Sequence, residues 1–293
     1  MRNNLSVVLF ISILFIGCEG KQEPIPSYIK INEADFVFNN PESTGIGGTN
    51  ITDVWLYIDN QLAGLYQLPA VVAVAGEGNH EIRMASGIRI SGVQSLQLAY
   101  PFHRQFNAGT LNLIGLDTLT ITPEYEYGGG SVFAWKEDFE SSLGSSMDTI
   151  FGSLADLEQV PVPDSPFYIQ TLSGHARLTE ELSYFKAATD DLYPIPITAL
   201  PFYLELDYSC NQQFVVSILI KRFGDVTREQ SVIFLNPTTN SSTPVWNKIY
   251  IEMTPFISGQ VDAEGFGFSI TANYDPSVEE GLIYFDNFKL IHN

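Results

Sequence analysis

Cysteine is almost missing from this chain. Its 293 residues include two, Cys18 and Cys210, so no disulfide framework braces the fold and stability must come from packing. Histidine is sparse as well. The four present, His80, His103, His175 and His292, form no His-x-His or His-Glu-x-x-His pair, which leaves a zinc hydrolase without its ligands. Bases are few: 14 against 34 acids, for a formal charge of −20. Such a surface repels phosphates and argues against nucleic acid as a partner. There is no Gly-x-Ser-x-Gly elbow and no phosphate-cradling loop. Paired carboxylates are common, but among 34 acids a pair means nothing without geometry. The expectation is a binding protein, not an enzyme.

What is present is apolar and aromatic. Hydrophobic residues make up 45% of the chain and aromatics 13%, enough for two domains with real cores. An acidic exterior of this kind suits solubility, a cation or a neutral ligand.

Residues 1–17 read as a secretory signal: Arg2, then the apolar run Leu5 to Ile16, then Gly17. The run is too short for a comfortable membrane span. Phe15-Ile16-Gly17-Cys18 resembles a bacterial lipobox, with Phe15 where Leu is usual. That resemblance implies lipidation of Cys18 and a membrane anchor through acyl chains. Residues 18–27 are polar and Pro-containing and read as a tether. Glu19 and Glu23 resemble the surface-export signals of Bacteroidetes outer-membrane lipoproteins.

Residues 28–127 carry short alternating runs separated by turn residues, with no helical period. A hairpin is expected through Asp59-Asn60 and a second from Val71–Val74 through Gly76 to Asn79 into His80–Ala85. The order of Asp-turn, Leu68-Pro69, Gly-turn and His80-x-Ile82-x-Met84 resembles PEGA-type modules of bacterial envelopes. The expected fold is an immunoglobulin-like β-sandwich. Pro101 to Phe106 is an aromatic, basic patch that reads as a packed turn. Residues 128–132, opening Gly128-Gly129-Gly130, have the composition of a flexible linker.

Residues 133–293 also read as all-β, with a short helical stretch expected at Ser153–Leu157. Ala199–Tyr208 and Gln213–Arg222 are expected to pair through a turn at Asn211-Gln212. The closing strand, Ile283 to Leu290, should lie beside the opening one, Trp135 to Glu140. Glu137-Asp138-Phe139-Glu140, Ser173-Gly174-x-Ala176, Tyr203-Leu204-Glu205-Leu206, Trp246-x-Lys248-Ile249, Phe266-x-Phe268-x-Ile270 and Tyr284-Phe285-Asp286-Asn287-Phe288 follow one another in an order that resembles jelly-roll carbohydrate-binding modules and their galactose-binding-like relatives.

That resemblance implies a jelly roll and sugar as ligand. It also implies a structural Ca²⁺ joining the first and last strands, through Asp138 or Glu140 with Asp286. Ring faces that could stack on sugars belong to Tyr184, Phe185, Tyr193, Trp246 and Tyr274. Tyr193 and Tyr274 lie in loops. Trp246 shares a strand with Ile249 and Ile251, which favours burial. Asp117-Thr118-Leu119 and Asp148-Thr149-Ile150 resemble Asp-Thr-aliphatic O-glycosylation motifs, with Thr149 expected in a loop. The functional expectation is a non-catalytic, lipid-anchored protein of the outer membrane that binds polysaccharide. The alternative is an accessory subunit of a secretion, adhesion or gliding assembly that binds envelope protein. Fatty-acid labelling in a producing bacterium should mark the wild-type chain, and Cys18→Ser should lose both label and membrane association. A labelled Cys18→Ser protein would refute the anchor.

Overall fold

A computed structural model describes residues 24–161, 172–198 and 200–293. Cys18 and the signal segment lie outside the described residues. In the N-terminal half the strands are β1 (Pro26–Ile31), β2 (Asp35–Phe36), β3 (Asp53–Ile58), β4 (Gln61–Gln67), β5 (Ala70–Ala75), β6 (Gly78–Arg89), β7 (Gln97–Ala99), β8 (Phe106–Leu113), β9 (Thr118–Thr120) and β10 (Glu124–Tyr125). In the C-terminal half they are β11 (Val132–Glu137), β12 (Met147–Thr149), β13 (Glu158–Pro161), β14 (Leu172–Leu178), β15 (Tyr184–Thr189), β16 (Phe202–Cys210), β17 (Phe214–Arg222), β18 (Arg228–Leu235), β19 (Asn247–Glu252), β20 (Ala263–Asn273) and β21 (Gly281–His292). Two four-residue helices, α1 (Pro41–Thr44) and α2 (Thr254–Ile257), are the helical content among the described residues. The chain is all-β, as its alternating runs foretell.

The N-terminal half is a small sandwich. One sheet runs β5-β1-β9, the other β4-β3-β6-β7 with β8 also on β6. Ile29, Ile31, Val72 and Val74 from the first meet Val54, Leu56, Ile82 and Met84 from the second. The β3–β4 hairpin turns on Asp59 and Asn60, both at positive φ, as short polar side chains permit. The second expected hairpin does not exist. β5 pairs with β1, while β6 pairs with β3, β7 and β8. Gly76–Asn79 is an arch between sheets, and turn residues permit an arch as readily as a hairpin.

The C-terminal half stacks two larger sheets. The first runs β13-β14-β21-β16-β19, with β11 also on β21; the second runs β12-β15-β20-β17-β18. Their inner faces share one core that includes Trp135, Phe185, Leu204, Ile218, Phe268 and Phe285. The opening and closing strands pair antiparallel, from Val132↔His292 to Glu137↔Phe288. The expected β16–β17 pair is wrong: β16 lies between β19 and β21, and β17 between β18 and β20. Asn211 and Gln212 turn the corner between sheets instead. Asn211 binds the Glu280 carbonyl and the Leu282 N–H, and Gln212 binds the Asn273 carbonyl and the Asp275 N–H. The expected helix at 153–157 is also absent; Ala155 bridges to Phe185, and the Ser153 hydroxyl accepts the Lys186 N–H, a local bond that competes with helix.

All nine residues of β16 are buried. One face meets the core, and the other is covered by the N-terminal half. Tyr203, Tyr250 and Ile291 from the first sheet's outer face pack on Ile88, Tyr100 and Phe102. Beside them Glu205, fully buried, accepts hydroxyls from Tyr100 at 2.5 Å and Tyr127 at 2.8 Å and pairs with buried Lys248 at 3.3 Å. Burial alone would raise the Glu205 pKa; Lys248, Lys289 and the Tyr100 hydroxyl hold it below its usual value. The glycine linker is pinned as well, with Gly128 N–H and Ser131 Oγ both donating to the Phe102 carbonyl.

The loop Gly45–Asn50 closes on this face. At Gly47, with φ +131°, an added Cβ would stand 2.5 Å from Asp207 Oδ2 and 2.8 Å from the Asn287 side chain. Gly47→Ala should therefore destabilise the chain by about 1–3 kcal/mol, read as a lower urea midpoint with unchanged slope. A midpoint equal to wild type would contradict this packing.

Candidate functional site

With one face of the jelly roll covered, the outer face of the second sheet is the broad surface left to a ligand. Registers give its side chains as rungs. The first is Tyr184, Asn273 and Gln213, with Gln213 donating to Asn236 at 2.9 Å. The next is Lys186, Thr271, Val215 and Phe234, followed by Asp148, Ala188, Ser269, Ser217 and Ser231. Gly267, Leu219 and Glu229 make the last.

Lys186 on β15 and Glu229 on β18 form an ion pair at 2.5 Å across two intervening strands, and Ser269 Oγ donates to Glu229 at 2.7 Å. In a flat sheet those strands stand about 14 Å apart. The two long side chains reach toward each other over the small side chains of Ala188, Ser217 and Ser269. Burial would raise the Glu229 pKa, but the bonds from Lys186 and Ser269 outweigh it and keep the carboxyl below its usual value. The pair's charges cancel, and Asp148 at the β12 edge is the charge that remains on these rungs. Aromatic rings edge it. Tyr184 is half-buried and Phe234 is 59% exposed. Hydroxyls, amides and exposed ring faces are the groups that bind a neutral polyhydroxylated chain.

The ring candidates do not gather. Tyr184 and Tyr274 are neighbours, since Tyr274 N–H donates to the Ser183 carbonyl. The Tyr274 hydroxyl, however, is spent on the Val278 carbonyl in its own turn. Tyr193 sits at the far end of β20, opposite Phe266, stacked on Trp135 at 6.0 Å. Burial, then Asp191 and Asp190, push its phenol up to about 12. Phe185 is a core residue. Trp246 is not in the core: alternation places it with Lys248 and Tyr250, on the opposite face from Ile249 and Ile251. It lines a cavity at the junction of the halves. Period 2, applied from residue 246, gives this answer from the sequence alone. Asn273 and Phe234 were missed because only sheet register shows that they share a face with Tyr184 and Lys186.

Asp286 is fully buried, directly opposite Asp207 on β16. Its Oδ1 accepts the Asn287 N–H at 2.7 Å, while Oδ2 has no hydrogen-bond partner. Burial, then the charges of Asp207, Asp138 and Glu140, push this carboxyl up to about 9. Asp138 and Glu140 are near enough to act on it, but each also has a local partner: Asp138 Oδ1 accepts the Glu140 N–H, and Glu140 Oε1 accepts the Leu172 N–H. Among the described residues no three His, Cys, Asp or Glu side chains form a metal-holding cluster. The orphaned oxygen and excess negative charge still suit a hard cation completed by carbonyl oxygens.

Thr149 lies in β12, not in a loop, and its hydroxyl accepts the Leu157 N–H at 2.8 Å. Thr118, at the start of β9, is the exposed one of the pair. Ser86 Oγ and His103 Nδ1 stand 2.8 Å apart, but burial under Phe36 and Tyr100 drives the imidazole down to about 3, so this is a structural pair. Cys210 is buried with its thiol pushed up to about 12.

No family description and no curated protein matches the chain. Among solved structures, the C-terminal family 22 carbohydrate-binding module of Clostridium thermocellum Xyn10B is 13% identical over 55% of this chain and 92% of its own, with a TM-score of 0.34. The K3 cleaved adhesin domain of Lys-gingipain from Porphyromonas gingivalis is 11% identical over 55% and 99%, with a TM-score of 0.39. A structure described for the promiscuous specificity of carbohydrate-binding modules of the β-sandwich superfamily is 15% identical over 92% and 99%, with a TM-score of 0.38. Likeness at this level transfers no ligand, so the ligand must be argued from the residues.

For Asp286 the folded pKa lies above the unfolded value of about 3.9. The stability it contributes is complete below about pH 4 and is lost as pH rises toward 9. Asp286→Asn should flatten that slope in metal-free buffer and raise the thermal midpoint at pH 8. An unchanged slope would mean the carboxyl is not held protonated.

Proposed function

We propose that this chain is a lipid-anchored, non-catalytic glycan-binding protein of the outer membrane, held by Cys18 and binding through the outer face of β15, β20, β17 and β18. The observation that carries the reading is a sheet face whose central charges are paired, Lys186 with Glu229, and which presents hydroxyl and amide side chains beside the exposed Phe234 ring, on a chain of charge −20. Ring stacking supplies affinity, while the Ser, Thr, Asn and Gln side chains exchange hydrogen bonds with sugar hydroxyls. A structural Ca²⁺ at Asp286, with Asp138 and Glu140 as further oxygen ligands, belongs to the same reading. It would neutralise the buried acid, so calcium should flatten the wild-type pH slope. Calcium-loaded and chelated protein melting alike would contradict it.

A second reading has its own support. β5, Ala70 to Ala75, pairs on one edge only among the described residues and turns Val71, Ala73 and Ala75 to solvent. Such an edge can accept a partner strand, as an accessory subunit would use. A stable stoichiometric protein partner on co-purification favours that reading.

The glycan reading is tested with the mature chain on a polysaccharide panel. Binding to at least one neutral glycan is expected, weakened about five- to tenfold by Tyr184→Ala or Phe234→Ala. No binding across varied glycans would overturn it.

A further inference from the structure

The N-terminal half carries an apolar tip at the end where the chain enters it. Ile25, Ile114 and Leu116 are 52%, 57% and 73% exposed, and none belongs to the sandwich core. They are neighbours. The Leu116 N–H donates to the Pro26 carbonyl at 2.8 Å, and a Cβ added at Gly115 would stand 2.9 Å from Ile25 Cγ2. Ile114 to Asp117 is a turn, closed by the Asp117 N–H on the Ile114 carbonyl at 3.1 Å. Leu116 takes φ +61° within it, a conformation more usual for Gly or Asn.

The tip lies at the pole away from the jelly roll. β6 starts there, with Gly78 paired to Leu113, the residue before Ile114. Its 12 residues cover about 36 Å at the usual strand rise. Just beyond its far end Ile90 bridges to Tyr250 of the C-terminal half. The tether arrives at the tip. If Cys18 carries the lipid, Ile25 lies 7 residues from the anchor, a distance a chain spans with at most about 25 Å. The tip's own charges, Glu77 and Asp117, are acids; Glu77 Oε2 would stand 2.8 Å from a Cβ at Gly115. Anionic headgroups repel such a tip, so apolar burial among neutral headgroups is the attraction left to it.

We propose that this tip is a membrane-contact surface, with Ile25, Ile114 and Leu116 seated among the headgroups of a zwitterionic leaflet and the jelly roll held outward at the other end of β6. The inference rests on the anchor reading of Cys18 and extends it. The lipid attaches the chain, and the tip sets which way the chain stands.

The test uses the mature chain with a polyhistidine tag in place of Cys18, on vesicles of phosphatidylethanolamine and phosphatidylcholine that carry a nickel-chelating lipid. The tag supplies the attachment, so a failure of the Cys18 reading, seen by fatty-acid labelling, does not alter this outcome. An environment-sensitive fluorophore on Leu116→Cys should shift to the blue on the vesicles and be quenched by lipids spin-labelled in their acyl chains; Cys210 is buried and does not compete for the label. The same label on Phe223→Cys, at a site 86% exposed between β17 and β18, should do neither. Ile25→Asp with Ile114→Asp should lower the inserted-to-free ratio at Leu116 about tenfold without lowering the thermal midpoint in solution. Added salt should leave the contact intact. A Leu116 label that reads as it does without vesicles would overturn the proposal. So would quenching unaltered in the double variant, or quenching at Phe223 in place of Leu116.

Discussion

The buried carboxylate of Glu205 is the constraint on which the two halves depend. A charge with no access to water is tolerable only when paired and hydrogen-bonded. Its partners come from both halves: the hydroxyls of Tyr100 and Tyr127 on one side, Lys248 on the other. Separation would remove both tyrosine hydroxyls from the acid and open the packed faces of Tyr100, Phe102, Tyr203 and Tyr250 to water. Lys289 belongs to the same layer. Its ammonium donates to the Tyr127 hydroxyl at 3.1 Å and lies over the Tyr127 and Phe38 rings; burial pushes it down to about 7.

This junction assigns roles to the jelly roll's two faces. The β21-β16-β19 part of one face is committed to the N-terminal half, and its buried charges, Glu205, Asp207, Lys248 and Lys289, serve cohesion. The opposite face carries the Lys186–Glu229 pair, the serine floor and the exposed rings. The proposed ligand site thus falls on the face the chain does not need for its own assembly.

The sequence made the local pattern legible, and the pairing of the chain's parts less so. Alternation found most strands, and Asp59-Asn60 specified its hairpin because short polar side chains accept positive φ. The pairing of β11 with β21 was legible because both carry aromatic runs broken by acids. Two arches, at Gly76–Asn79 and Asn211-Gln212, read as hairpins, since turn chemistry does not record which sheet the chain enters next. The sequence showed Ala199–Tyr208 as one strand of a hairpin and did not show the continuous burial of Phe202–Cys210. Its cause is a second half lying over Tyr203, Glu205 and Asp207, a contact between residues a hundred positions apart. The same separation hid the rungs of the candidate face. Nothing local to Gly47 and Gly48 marks the side chains of Asp207 and Asn287 that stand against them.

If the Glu205 layer joins the halves as described, the chain folds and unfolds as one unit despite its glycine linker. Differential scanning calorimetry of the mature chain tests this most directly. A single transition with calorimetric enthalpy equal to the van't Hoff enthalpy is the predicted result. Two resolved transitions, one for each half, would contradict it.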